Sequence, residues 1–260
     1  MKTVEEKVRE RRKKVARIRR QRRLRLLLIL LVLALIVWGG IRIYNSDLFN
    51  IKRINVTGNS HLSDEHIVKL AKVTRKTSLL KTPLKQIRNR LLQEPWIKEV
   101  GILRHLPNTL EIRITERRPI AIIPIDDSFI LIDGEGFVLE CKEDLRGSNM
   151  PVISDLKIGS FQVGKRLRSK SLSNALTCLR ELDPDLRGSL NLVSASSVDK
   201  LSLYTKDDVE ILYGKAENNS KKNFIIKKIL SEPRGKIIFI DVRVVSNPVV
   251  KRLEGVPKSE

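Results

Sequence analysis

Apolar side chains run unbroken from Leu26 to Ile41 (LLLILLVLALIVWGGI), with no charged residue among them. Sixteen residues fall slightly short of a bilayer span. Leu24 to Tyr44 reaches the roughly 20 that are needed once Arg25 and Arg42 snorkel toward the two interfaces along their aliphatic stems. Trp38 and Tyr44 stand near one end, where amphipathic rings prefer the headgroup level. The pattern predicts a transmembrane helix over residues 26–44.

Past Tyr44 the period shortens and becomes mixed. In FNIKRINVTGN, from Phe49, Ile54 and Val56 alternate with polar neighbours, and Gly58-Asn59 can take positive φ, so a strand should end in a turn. Ser63 is placed to cap a helix with Asp64 and Glu65 in its first turn and Ile67, Leu70 and Ala71 on one face. Thr82-Pro83 opens a second helix with Leu84, Ile87 and Leu91 as its stripe, and Pro95 stops it. WIKEVGILR and LEIRITER then flank the turn HLPNT, giving the order β-α-α-β-β.

Farther on, Phe129–Ile132 and Phe137–Glu140 flank Asp133-Gly134-Glu135-Gly136 as a hairpin. Leu172, Ala175, Leu176, Leu179 and Leu182 make a helix face that Asp183-Pro184 ends. LSLY and VEILY read as short strands. Asn219-Ser220 looks like a cap for NFIIKKIL, which Pro233 and Gly235 close. In the last run, Lys236 to Val245, one face of a strand would carry Ile238, Ile240, Val242 and Val244, and the other Ile237, Phe239, Asp241 and Arg243. The fold class expected is α+β, with an antiparallel sheet in the larger, C-terminal part.

Charge fixes the orientation. The chain of 260 residues carries +21, and residues 1–25 hold 13 Lys or Arg against Glu5, Glu6 and Glu10, a net +10. Such a flank stays in the cytoplasm, and everything after the apolar run is then exported. A cleaved signal peptide is disfavoured: the basic stretch is long, and the segment exits through Trp38-Gly39-Gly40-Ile41-Arg42 rather than a small-x-small site. The basic runs lack interleaved aromatic residues, which points to lipid headgroups and away from nucleic acid.

No nucleophile elbow, HExxH, Walker loop or dinucleotide fingerprint is present, so no enzyme, cofactor or metal site is expected. His61 and His66 are five apart, the wrong spacing for paired ligands on a helix, and His105 sits beside Pro107 in a turn. Asp126, Asp127 and Asp133 stand in turns, where Asp is common for backbone reasons. Cys141 and Cys178 lie in the exported part, where a bridge could form, but two cysteines make no framework and they read first as small buried apolar side chains. Two surfaces are left for protein contacts. One is the closing strand, if it lies at a sheet edge, and the other surrounds Glu116, Arg117 and Arg118.

FNIKRINVTGN, the block EPWIKEVGILRHLPNTLEIRITERRPIAI and the later SFILIDGEGFVLE resemble the FtsQ/DivIB family of bacterial cell-division proteins. Within the block, Pro95, Trp96, Arg104, Pro107, Thr109, Leu110, Glu116, Arg117, Pro119 and Ala121 match that family's run. The resemblance implies a basic cytoplasmic tail (1–25), the transmembrane helix (26–44), a POTRA domain (45–118), a β-domain (119–250) and a flexible tail (251–260). It implies a non-enzymatic bitopic divisome protein of the cytoplasmic membrane at the septum, recruiting and regulating septal cell-wall synthesis. Its partners would be FtsB/DivIC-like and FtsL-like proteins, with septal cell-wall synthases as a further class. Docking is implied for Asp241, Arg243, Val244 and Ser246, with Glu116 and Arg117 as a second place. Val244 stands where well-known relatives carry an aromatic residue. The alternative is an extracytoplasmic module that binds cell-wall or other anionic polymers, since the exported part keeps +11.

Overall fold

The computed structural model describes residues 4–74, 77–144, 148–232 and 235–253, with side chains from Arg22 onward. Residues 254–260 of the expected tail, the first three residues of the basic segment and Pro233 lie outside the described residues. The chain forms two compact units, Met1–Asn55 with Lys72–Leu84 and Ile102–Ile112, and Val56–Ala71 with Lys85–Gly101 and Arg113–Glu260.

The first unit begins with helix α1 (Val4–Tyr44). Its stretch Arg22–Tyr44, 23 residues with no residue of its apolar window buried by the rest of the chain, is the one helix among the described residues long and apolar enough to cross a membrane. No protein surface covers those leucines, so lipid is the environment that relieves their exposure. At the exit, Ser46 Oγ accepts the Leu48 N–H and caps a single 3-10 turn, Asp47–Phe49. The chain is then stitched on both sides. Ile51 N–H donates to Thr77 O and Leu79 N–H to Phe49 O, while the N–H groups of Lys52 and Arg53 share Asn108 O.

The expected β-α-α-β-β order is present as β1 (Arg53–Thr57), α2 (Asp64–Ala71), α3 (Leu84–Leu91), β2 (Ile97–His105) and β3 (Thr109–Glu116), with sheet order β1-β3-β2. Ser63 Oγ accepts the His66 N–H, as a cap should. Pro83 immediately precedes α3 instead of being its first residue, a one-residue difference of the kind helix ends show. Gly58 has φ +86°, and a Cβ there would lie 2.1 Å from Ile114 O, so the turn after β1 admits only glycine.

The second unit is dominated by a nine-stranded sheet, order β12-β11-β10-β9-β8-β7-β4-β5-β6. Its strands are β4 (Pro119–Ile125), β5 (Ser128–Asp133), β6 (Val138–Lys142), β7 (Val152–Ser154), β8 (Leu190–Ala195), β9 (Leu201–Thr205), β10 (Glu210–Leu212), β11 (Lys236–Asp241) and β12 (Val249–Leu253). The sheet is mixed, not antiparallel throughout: β4/β7, β7/β8 and β10/β11 pair in parallel. The reason lies in the connections. A helical crossover returns the chain in the same direction, and α4 (Lys170–Glu181) with α5 (Pro184–Ser189) links β7 to β8, as α6 (Asn219–Leu230) links β10 to β11. The core forms where α4 and α6 cover one sheet face, and the predicted stripe Leu172, Ala175, Leu176, Leu179 and Leu182 is buried throughout. In the β5/β6 hairpin, Gly136 takes φ +89° with Leu167 O close against it.

Four expectations need correction here. The closing strand stops at Asp241, and Arg243–Ser246 belong to the turn that leads into β12. A bulge at Ile238 shifts the register between Ile237 and Phe239, so Ile237, Ile240 and Val242 are buried instead of an uninterrupted alternation ending in Val244. Lys251–Leu253, expected as the start of a flexible tail, complete β12. Of the cysteines, both free, only Cys178 is buried; Cys141 is exposed. Burial pushes the Cys178 thiol up to about 12.

Candidate partner-binding site

Glu116 and Arg117, expected to face partners, are engaged within the chain. Glu116 ends β3 and accepts the backbone N–H groups of Ser60 (3.0 Å), His61 (2.8 Å) and Leu62 (2.9 Å), with the Ser60 hydroxyl at 2.9 Å. Burial pushes its carboxyl up, but the N–H groups outweigh that and hold it below its ordinary value. Next to it, Arg117 donates to Asp133 at 2.7 Å and to Glu135 at 3.1 Å, and its guanidinium lies 3.7 Å from the Phe137 ring centre. Lys98 reaches the other Glu135 oxygen at 2.6 Å, and that bond, with Arg117, keeps the Glu135 carboxyl low against partial burial.

Asp133, read from sequence as an ordinary turn residue, is a buried hub. It also accepts the N–H groups of Glu135 and Phe137. Such a pair is not by itself strong evidence of stability, but either partner left alone in place would be penalised by about 3–5 kcal/mol. Trp96 packs with Leu131 and Leu139 beside it, its carbonyl accepts the Arg117 N–H at 2.8 Å, and His61 stacks on its ring at 3.7 Å. Trp96 and Arg117 therefore fasten the segment before Pro119 to the β5/β6 hairpin. Arg118 stays exposed.

The closing region is arranged differently from its expected form. β11 is paired on both sides, parallel to β10 (Ile211↔Ile240) and antiparallel to β12 (Ile240↔Val250), so it has no free edge. The unpaired edge at that end of the sheet is β12. Asp241 holds Arg243 in a fork, Nε at 3.0 Å and Nη2 at 2.6 Å, which lowers the Asp241 carboxyl and raises the guanidinium. Val244, 59% exposed, and Ser246, also exposed, present themselves on the turn between the two strands. Arg243, Lys222 and Gly214 line a cavity of about 300 Å³ beside that turn.

Sequence reasoning missed what supports this region from beneath. Asn219 is buried: its amide donates to Glu181 at 2.7 Å and its carbonyl accepts the Tyr213 hydroxyl at 2.8 Å. It does not cap α6. The N-cap is Asn218, with φ 54° and no side-chain cap bond. Lys222, 3% exposed, donates to Tyr213 O and Lys215 O, both at 2.7 Å, and burial lowers its pKa. A signal existed: Lys222 is spaced i, i+4 and i+7 with Ile226 and Ile229, which puts it on the buried stripe.

Among known proteins, the family description "POTRA domain, FtsQ-type" matches residues 49–117, and "Cell division protein FtsQ/DivIB, C-terminal" matches residues 121–243. The cell division protein FtsQ of Syntrophotalea carbinolica is 30% identical over 224 residues, which is 84% of this chain and 79% of that one. The cell division protein DivIB of Clostridium acetobutylicum is 28% identical over 211 residues, 77% of this chain and 82% of its own. A solved extracytoplasmic domain of DivIB from Geobacillus stearothermophilus aligns over 46% of this chain and 90% of that domain, at 18% identity and a TM-score of 0.30. On the two matched segments and the near full-length relatives, the chain belongs to the FtsQ/DivIB family of bacterial cell-division proteins.

Proposed function

We propose that this chain is a non-enzymatic bitopic scaffold of the divisome, with a POTRA domain over 45–118 and a β-domain over 119–253, through the end of β12. It captures FtsB/DivIC-like and FtsL-like partners outside the cytoplasmic membrane and thereby recruits and regulates septal cell-wall synthesis. The observation that carries this reading is the free β12 edge. Val249 and Leu253 are exposed there, and Val244 and Ser246 stand on the adjoining turn. An unpaired strand offers N–H and C=O groups to an incoming strand, while exposed side chains beside it select which strand fits. Asp241 and Arg243 then act mainly by holding the turn in place through their fork.

Anchoring lowers the affinity that docking requires. Partners held in the same bilayer meet β12 at an effective concentration far above their bulk value, so a short edge suffices. The test is a photocrosslinking scan in dividing cells, with the reactive residue placed in turn at Val244, Ser246 and each position of Val249–Leu253, and at Glu140–Lys142 on the opposite edge. Adducts with the FtsB/DivIC-like partner confined to the turn and β12 are expected. Adducts at β6 instead, or none at either edge, would reject this docking mode.

A further inference from the structure

Three large apolar side chains of the first unit face solvent: Leu48 (55% exposed), Leu103 (41%) and Leu106 (64%). All three belong to segments tied to the exit of α1. Leu48 is four residues past Tyr44, so the two cannot be more than about 14 Å apart. The turn holding Leu106 is bonded through Asn108 O to the N–H groups of Lys52 and Arg53. Arg104, next to Leu103, donates to Thr82 O at 2.6 Å. Lys81, beside Thr82, donates to Asn45 at 2.7 Å and lies over the Tyr44 ring at 5.4 Å, which fastens that segment to the last turn of the helix.

Charge on this unit has one sign. After Tyr44, its segments contain seven Lys or Arg against Asp47 and Glu111, a net +5. The acids are occupied: Asp47 accepts from Asn50, and Glu111 meets His105. Lys52 and Arg53 are exposed, with no ion pair among the described residues. Exposed leucines and exposed cations on segments tied to a helix end that carries Tyr44 are what an interfacial contact with anionic lipid requires.

We propose that Leu48, Leu103 and Leu106, with Lys52 and Arg53, form a docking face that rests on the anionic surface of the same bilayer α1 enters. The proposal depends on α1 being a membrane span. The face seats the first unit on the membrane and restricts how it can tilt there.

The test uses the full chain in nanodiscs, in a Cys141→Ser background, with an environment-sensitive dye on Leu106→Cys. Quenching by doxyl-labelled phosphatidylcholine reports lipid contact, quenching by iodide reports water, and the dye on free cysteine in buffer is the aqueous reference. In discs containing phosphatidylglycerol, the dye at 106 should be quenched by the lipid label and protected from iodide. Lys52→Gln and Arg53→Gln should each reduce the docked population about fivefold, and phosphatidylcholine alone, which removes both attractions, should weaken docking more than either substitution. Iodide quenching as complete as for the free dye would overturn the proposal. So would protection from iodide without lipid quenching, which would indicate a protein contact. The dye on Leu33→Cys serves as the internal check: if lipid fails to quench it, the membrane span itself is wrong.

Discussion

Glu116 is acceptor to three backbone N–H groups and a hydroxyl from the Ser60–Leu62 loop, and its depressed pKa has a consequence that can be measured. Its value in the unfolded chain is near 4.5 and lower in the folded one, so its contribution is complete above 4.5 and fades as pH falls through the folded value. Glu116→Gln should destabilise the folded part by about 1.5–3 kcal/mol at neutral pH, because hydrogen bonds to a charged acceptor are lost. The variant's deficit against the parent should shrink on acidification below pH 4.5, as read by urea unfolding at a series of pH values. A deficit that stays constant down to pH 3 would show that the carboxylate's charge is not what holds the loop. The residues at this junction were visible in the sequence as a motif, but their work was not. Trp96 and Arg117 sit in the run that carries the family resemblance, whereas Asp133 reads as a turn residue because its partner is sixteen positions away and only folding joins them.

At the scale of elements, helices and most strands followed from local pattern. The five-residue stripe of α4 is an example: its spacing alone predicts which residues meet the sheet, and all five are buried. The start of α6 shows where local pattern misleads. Asn219-Ser220 has the composition of a cap, yet Asn219 turns inward to Tyr213 and Glu181 while Ser220 remains exposed. Ser220→Ala should therefore change stability by no more than about 0.5 kcal/mol, and Asn219→Ala should lower it by about 2 kcal/mol, since the buried Tyr213 hydroxyl loses its nearest acceptor and Glu181 loses a donor. Thermal unfolding of the two variants side by side decides the point, and equal losses would restore the capping role. Strand neighbours were the least legible feature. Whether β11 is an edge depends on β12, whose residues Lys251–Leu253 look like the beginning of a polar tail, and the bulge at Ile238 cannot be read from alternation.

On the scale of the whole molecule, function depends on which side of the membrane the folded part occupies. The basic flank of 13 Lys or Arg and the uncovered apolar helix argue for a cytoplasmic N-terminus and exported domains, and docking at β12 has meaning only in that arrangement. Pattern and composition made the apolar helix legible and predict its orientation, because both rest on summed local quantities. The free β12 edge, the proposed docking place, emerged only from sheet topology. The two cysteines supply natural probes of orientation, one exposed and one buried with a thiol too weakly acidic to react. The decisive measurement is labelling of intact, reductant-washed spheroplasts with a membrane-impermeant maleimide. Cys141 should be modified before lysis and Cys178 should not, while a cysteine substituted for Arg23 should become reactive only after lysis. Modification of Cys141 only once the cells are broken would put the folded part in the cytoplasm and contradict this account.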